Sequence, residues 1–289
     1  MQISLGDTGI TTSTLALGCA RIGSALTPLG RRASIALIEE ACDLGIRHFD
    51  TASIYGQGDS ERYLGAALQR RRRDVCIASK AGQLLSHKQA VLAQFKTPLR
   101  FLIQHYGRLR GRVAQQRARG VPRCFDPGYI ARSLEGSLHR LRTEYLDVFY
   151  LHSPDPVVLQ DGALLDSMQK WQRQGRVRAI GVSCDEIAVA WAAAKCDAVK
   201  IVQFAFADDE SSHGLLAELS RRRKVAVLRG LMQPRAGDCG QAPVLTERFA
   251  HALSLPALGG VIVGTTNAAH LRQNVAAFRS ATHRGTMQE

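Results

Sequence analysis

The chain has no CxxC pair, no GxGxxG fingerprint and no uncharged apolar run long enough to cross a bilayer. Between Val75 and Phe125 it also has no Asp or Glu. Each absence removes a class of function. Seven cysteines (Cys19, Cys42, Cys76, Cys124, Cys184, Cys196, Cys239) lie scattered without ligand-spaced histidines. That argues against a zinc site or disulfide framework and predicts reduced, mostly buried thiols. Without a glycine fingerprint opening a βαβ unit, a Rossmann site is not indicated. The start, MQISLGDTGITTS, lacks a charged segment followed by an apolar one, so a cytoplasmic protein is expected.

The missing acids localise the charge. Of the net +13, ten positive charges come from Lys80, Lys88, Lys96, Arg100, Arg108, Arg110, Arg112, Arg117, Arg119 and Arg123, leaving +3 elsewhere. No nucleic-acid recognition motif appears in or around this basic run, so no nucleic-acid partner is expected. The short basic runs at 70–73 and 221–223 end predicted helices and read as solvated, macrodipole-compatible termini.

What is present is ordinary for a globular protein: 289 residues, 45% apolar and 22% charged. The length is near the roughly 250 residues of a (β/α) barrel, so a single domain over 1–289 is expected. Strand-like and helix-like pieces alternate, as parallel α/β construction requires. Strands are predicted near 14–18, 46–50, 75–79, 146–151, 177–182, 199–204, 224–228 and 260–263. Amphipathic helices lie between them, among them ASIALIEEACDLG, YIARSLEGSLHRLR and GALLDSMQKWQRQG. Eight strands fit a closed TIM barrel. QISL and ITTST around Gly6-Asp7-Thr8-Gly9 predict a short hairpin that covers the amino-terminal mouth. The stretch 81–125 falls outside the eight units. It follows the third strand, so it emerges on the catalytic face as a basic, partly helical insertion.

Four polar residues close, or lie just beyond, β-branched and aromatic runs: Asp50 and Tyr55 in IRHFDTASIYG, Lys80 ending VCIASK, and His152 ending VFYLH. Singly they have plain readings: a turn cap, a helix-start aromatic, a solvated lysine, a core histidine. Jointly, at strand ends that a barrel gathers on one face, they point to hydride chemistry on a carbonyl. Hydride addition leaves an alkoxide, so a proton donor is needed. Tyrosine, with an ordinary pKa of about 10, is a reluctant one. A lysine ammonium beside the phenol is expected to lower that value, with a carboxylate holding the ammonium in place.

GIRHFDTASIYGQGDSERYLG, Lys80, SLEGSLHRLRTEYLDVFYLHSPDP, RVRAIGVS, IVQFAF and VGTTNAAHLRQNVAAF, in this order, resemble the aldo-keto reductase superfamily. The resemblance implies a (β/α) barrel that reduces carbonyls with NADPH, NADH not being excluded. It makes Tyr55 the proton donor, tuned by Lys80 and Asp50, with His152 orienting the substrate carbonyl. It assigns Ser183 and Gln203 to the nicotinamide carboxamide and Phe206 to stacking on the ring. The adenosine phosphate maps onto Gly264, Thr265, Thr266, His270, Gln273 and Asn274, where a loop and helix start can also favour an anion; an ordinary capped helix is the plain reading of this segment.

The chain departs from the family pattern in three places. Cys184 stands where many relatives carry Asn. Arg229-Gly230-Leu231 replaces Ser-Pro-Leu, which offers a guanidinium to the pyrophosphate. The region from Met232 to Leu258 is short, so weaker or faster-exchanging cofactor binding is expected. The substrate is expected to be a small carbonyl compound, acidic or sugar-like if the basic insertion forms a lid; a solvated surface helix or contact with an anionic membrane are its other readings. Oligomeric state is left open. Two other functions fit the residues: a Schiff-base enzyme using Lys80, and a non-catalytic NADPH-binding redox sensor or membrane-docked binding protein.

Overall fold

A computed structural model describes residues 1–24, 27, 29–84, 121–231 and 242–285, without the side chains of 242–244, 284 and 285. An antiparallel pair, β1 (Gln2–Ser4) and β2 (Thr11–Ser13), precedes eight barrel strands. These are β3 (Leu15–Gly18), β4 (His48–Asp50), β5 (Cys76–Ala81), β6 (Leu146–His152), β7 (Val177–Ser183), β8 (Ile201–Ala205), β9 (Val225–Arg229) and β10 (Leu258–Gly264). Every neighbouring pair is parallel, and β10 closes on β3. The described helices are α1 (Arg31–Asp43), α2 (Asp59–Leu68), α3 (Pro127–Leu141), α4 (Gly162–Arg173), α5 (Ile187–Lys195), α6 (Glu210–Arg221), α7 (Ala242–Leu253) and α8 (Ala268–Gly285). All eight strands fall where the sequence puts them, within a few residues at the ends.

Two apolar layers hold the barrel. The outer one packs strand residues such as Phe49, Ile77, Phe149, Ile180 and Val202 against helix residues such as Leu134, Leu164, Leu216 and Phe249. The inner one is a file of alternate strand residues, Cys76 and Ala78, Val148 and Tyr150, Val225 and Val227, joined by Leu5 and Ile10 of the hairpin. Because side chains alternate across a strand, these inward positions recur every second residue. Leu5 and Ile10 are buried at 0% and 1% exposure. The hairpin therefore closes the amino-terminal mouth, as expected.

One expectation fails at the Arg70–Arg73 run. It lies in a 3₁₀ turn, Gln69–Asp74, and Arg72 is not a solvated end. Its guanidinium bonds the carbonyls of Val75 and Tyr145, pairs with the buried Asp147 at 2.8 Å and lies 3.9 Å from the Tyr145 ring. Asp147 also accepts from the Ile77 amide and from Arg178, so its burial is matched by three donors. In the second run Arg221 and Arg222 both pair with Glu218.

Most of the predicted basic insertion, 85–120, lies outside the described residues. Its flanks meet just past β5: Gln83 and Arg123 form an antiparallel bridge, with Leu84 N to Pro122 O and Cys124 N to Gly82 O both at 2.7 Å. The insertion thus enters and leaves at one point on the carboxyl-end face. Among the described residues, no helix is long and apolar enough to cross a membrane.

Candidate active site

The strand register sorts the polar residues. Gly18 lies level with Asp50, His152 with Ser183, and Ser183 with Gln203. Counting in twos along the inward files from Cys76, Val148, Ala179, Ile201 and Val225 leads to Lys80, His152, Ser183, Gln203 and Arg229. Each is the last inward position of its strand or near it. A ring of charged and polar groups therefore caps an apolar barrel interior.

At its centre Lys80 Nζ lies 2.6 and 2.5 Å from the two oxygens of Asp50 and donates to the Thr51 carbonyl at 2.8 Å. The pair is buried, with side-chain exposures of 1% and 6%. Gln203 Nε2 donates to Asp50 Oδ1 at 2.7 Å, and Ser183 Oγ donates to Gln203 Oε1 at 2.7 Å. Lys80, Asp50, Gln203 and Ser183 thus form one chain of hydrogen bonds across four strands, charge-assisted where it meets Lys80 and Asp50, the kind of network that low dielectric strengthens. Burial pulls the Lys80 ammonium below its ordinary value, and Asp50 opposes the fall.

Tyr55 stands over this pair on a 3₁₀ turn, Tyr55–Gly58. Its ring centroid is 5.4 Å from Lys80 Nζ and 5.9 Å from the His152 ring, which it meets edge-on at 86°. The turn needs left-handed backbone at Gly56, Gln57 and Gly58 (φ 54°, 56° and 86°). A Cβ on Gly56 would sit 2.7 Å from the backbone of Gly23. A non-glycine residue held in this region, here Gln57, is the sort of strain found at functional sites. Ser60, at the start of α2, ties the turn down: its hydroxyl bonds Thr51 Oγ1 at 2.8 Å and the Cys19 carbonyl at 3.0 Å.

The electrostatics correct one expectation. The Tyr55 phenol is held above its ordinary value, not below it. Burial is the largest cause, the Asp50 charge adds to it, and Arg229 opposes it. Burial and the charge of Asp50, which also pairs with the Lys80 ammonium, outweigh the lowering expected from Lys80. His152 is held well below its ordinary value by burial, then by the charges of Lys80, Arg229 and Arg123. Both rings are therefore neutral near pH 7.

Arg229 does reach over the mouth, but toward protein: it donates to the Cys184 carbonyl and pairs with Asp185, both at 2.6 Å. Ser153, at a φ of 52°, bonds the other oxygen of Asp185. Asp185, Ser153 and Thr51 were not singled out from the sequence. Each directly follows, or lies one residue beyond, a strand-end residue that was, so extending the strand-end rule by two positions would have found them.

The remaining candidates surround this centre. Phe206 is buried at 5% exposure beyond β8, and Leu231 at 2% beyond β9. Gly264 ends β10. Thr265 Oγ1 accepts from Asn267 N, and Asn267 Oδ1 accepts from the amides of Ala269 and His270. The amino end of α8 is thus a capped helix, with His270 and Gln273 exposed and Asn274 half-buried on its first turns. Cys184, the departure from Asn, is buried, and its thiol is pushed up to about 12 by burial. The shortened segment foreseen at 232–258 lies partly outside the described residues, which omit 232–241. The thiols of the described cysteines are free.

A closed parallel eight-strand barrel with a buried lysine–aspartate pair beneath a tyrosine and a histidine defines a class of barrel enzyme. The comparisons agree. Residues 14–217 match the model of the aldo/keto reductase family. The pyridoxal 4-dehydrogenase of Microbacterium luteolum is 26% identical over 96% of this chain and 93% of its own length. The aldo-keto reductase YhdN of Bacillus subtilis is 32% identical over 62% of this chain, though only 46% of YhdN is matched. An aldo-keto reductase from Klebsiella pneumoniae, solved in complex with NADP and acetate, superposes at a TM-score of 0.68. It is 19% identical, with 94% of this chain and 88% of that one covered. The chain belongs to the aldo/keto reductase family, which uses a nicotinamide cofactor.

Proposed function

We propose that this protein is a single-domain oxidoreductase that moves hydride between NADPH and the carbonyl of a small molecule. The observation that carries the reading is the buried Lys80–Asp50 pair directly beneath the Tyr55 ring, with His152 facing the same ring.

The remaining acceptor capacity of Ser183 and Gln203 fits a nicotinamide. Ser183 Oγ and Gln203 Oε1 are bonded to one another but keep lone pairs for a carboxamide NH2, and the Phe206 ring offers a flat apolar wall. Thr265, Thr266, His270, Gln273 and Asn274, with Gly264 leaving the backbone open, would hold the adenosine phosphate. Arg229 and Leu231 would line the pyrophosphate passage. When bound, the cofactor supplies the hydride.

The chain's own residues do the rest. Tyr55 and neutral His152 donate hydrogen bonds to the carbonyl oxygen, which polarises it and fixes its direction. Burial keeps Tyr55 protonated at neutral pH, so its proton is always present. An alkoxide is more basic than a phenolate even in this environment, so transfer from Tyr55 Oη runs downhill as charge develops on the oxygen. The Lys80 ammonium, held by Asp50 and Thr51, stands 5.4 Å from the centroid of the ring that then carries the charge, and Arg229 adds a second cation.

The reading of Lys80 as a Schiff-base nucleophile is disfavoured by geometry: three acceptors surround an ammonium that would have to give up a proton and turn outward. Its lowered pKa alone points the other way, but the bonds decide, since they must break before attack. The substrate is a small polar carbonyl compound or its alcohol, sugar-like or acidic, or related to the pyridoxal for which the Microbacterium relative is named. Arg123 at the mouth, paired with Asp155 at 3.0 Å, suits an anionic group.

Fluorescence titration with NADPH, followed by a panel of aldehydes, sugars and pyridoxal while the reduced nicotinamide is watched, tests the proposal. Tyr55→Phe is expected to bind NADPH as the parent does and to lose turnover by about 10²–10⁴-fold, the range general acid catalysis supplies. Undiminished turnover in Tyr55→Phe, or no cofactor binding in the parent, would overturn it.

A further inference from the structure

On the carboxyl-end face, beside the candidate cofactor wall, Asp208, His213 and His251 bring their side chains to one point. His213 Nε2 and His251 Nε2 lie 2.9 and 3.0 Å from the same oxygen, Asp208 Oδ1, and the three donor atoms fall within 4.8 Å of one another. They come from three separate places: the loop after β8, the first turn of α6, and α7. The Asp208 backbone is left-handed at φ 58°. Asp209 accepts from the Ser212 amide at 2.8 Å and so caps α6, fixing the turn that carries His213.

We propose that Asp208, His213 and His251 form a binding site for a divalent transition ion of the zinc class, and that the ion fastens the β8–α6 loop to α7. Two imidazoles and one carboxylate are a donor set zinc takes, with bonds of about 2.0–2.1 Å and a fourth position left for water. Tetrahedral donors on such an ion stand roughly 3.3 Å apart. The carboxylate-to-imidazole distances are already near that value, and the half-exposed rings have room to close the remainder. Magnesium and calcium, which prefer oxygen donors, are disfavoured by the two nitrogens.

The position gives the site a consequence. Phe206 packs edge-on against His213 at 5.5 Å and lies tilted against His251 at 6.0 Å. Fixing both imidazoles on an ion fixes the surface on which Phe206 rests. The ion site stands by itself, but its effect on the cofactor rests on the reading of Phe206 as the nicotinamide wall.

The full-length protein, freed of metal with a chelator, is titrated calorimetrically with zinc chloride in the absence of cofactor, alongside His213→Ala, His251→Ala and the double substitution. One zinc per chain is expected, together with a rise in Tm. Each single substitution is expected to weaken binding by at least the roughly 10–100-fold that even outer-shell losses cost. Cobalt in place of zinc is expected to give the visible absorption of a tetrahedral site, lost in the double variant. Equal zinc affinity in the parent and the double variant, as buried thiols elsewhere would give, refutes the site, and so does no uptake by the parent at tens of micromolar metal.

The link to Phe206 is read separately, by titrating zinc-loaded and metal-free parent with NADPH, the double variant correcting for zinc held by free NADPH. A changed dissociation constant in the parent alone supports the link. No change, with zinc bound, refutes the link and leaves the ion site standing, while absence of NADPH binding in either form counts against the cofactor reading instead.

Discussion

Asp50→Asn keeps the shape of the side chain and removes the charge that faces Lys80. The ammonium is then left at 1% exposure with only the Thr51 carbonyl and one amide oxygen as acceptors. Breaking a buried pair by removing one partner costs about 3–5 kcal/mol. For 289 residues, at ~2.1 cal/mol/K each, the melting entropy is roughly 0.6 kcal/mol/K, so Tm is expected to fall by about 5–8 °C. Lys80→Met strands the carboxylate against Gln203 and is expected to cost a similar amount. The double substitution leaves no buried charge, so its cost should fall short of the sum of the singles by about 2–3 kcal/mol.

A second signature comes from pH. Burial already depresses Lys80 below 10.5, and without the opposing carboxylate it falls further. The unfolded chain keeps this proton to higher pH than the folded one, so stability rises with pH between the folded and unfolded values. The Asp50→Asn deficit should therefore shrink between about pH 7 and about pH 9.5. Differential scanning calorimetry of the four proteins at both values reads both effects. Strictly additive single substitutions, or a deficit that does not change with pH, would refute the argument that this is one desolvated, mutually dependent pair.

Other outcomes follow from particular contacts. His48 is fully buried, neither ring nitrogen has a partner among the described residues, and burial lowers its pKa from 6.5 to about 4. Stability should thus be lost as pH falls from about 6.5 toward 4, by about 3 kcal/mol from this residue, and His48→Gln should flatten the acid limb of a stability–pH curve. An unchanged limb would show that His48 is not the group responsible. Gly56→Ala places a methyl 2.7 Å from Gly23 at a φ of 54°; a loss of about 1–3 kcal/mol in urea denaturation, with turnover reduced because Tyr55 sits next door, is expected. Gly181→Ala drives a Cβ to 2.4 Å from the Tyr150 ring inside the barrel, so about 1–3 kcal/mol or more of overpacking should appear in the same assay. Asp185→Asn removes the carboxylate partner of Arg229 and leaves it only the Cys184 carbonyl, so the guanidinium can turn to phosphate and a tighter NADPH dissociation constant is the expected result.

The sequence by itself determined the barrel. Runs such as VFYLH and VCIASK, alternating with apolar faces at three- and four-residue spacing, leave few packings other than helices around parallel strands, and period-two geometry then carries each strand-end polar residue inward. Asp50, Lys80 and His152 were legible for that reason, Tyr55 only from its place just beyond a strand end, on a 3₁₀ turn, and the hairpin because its turn residues and flanking Leu5 and Ile10 leave it one apolar surface to cover. What the tertiary structure decided is whatever depends on approach across strands and on the balance of burial against charge. Only the closed barrel puts Asp50 2.5 Å from Lys80 and buries the Tyr55 phenol, and that burial, with the Asp50 charge adding to it, turns the expected lowering into a rise. It also carries Arg72 into a site beside Asp147 that a run of four arginines gives no hint of. Asp208, His213 and His251 are five and thirty-eight residues apart in a pattern with no ligand spacing, and they meet because the fold brings the loop after β8 and the first turn of α6 up to a side chain of α7. Local periodicity fixes which way a side chain points; which charge it meets, and how little water is left between them, is set by the fold.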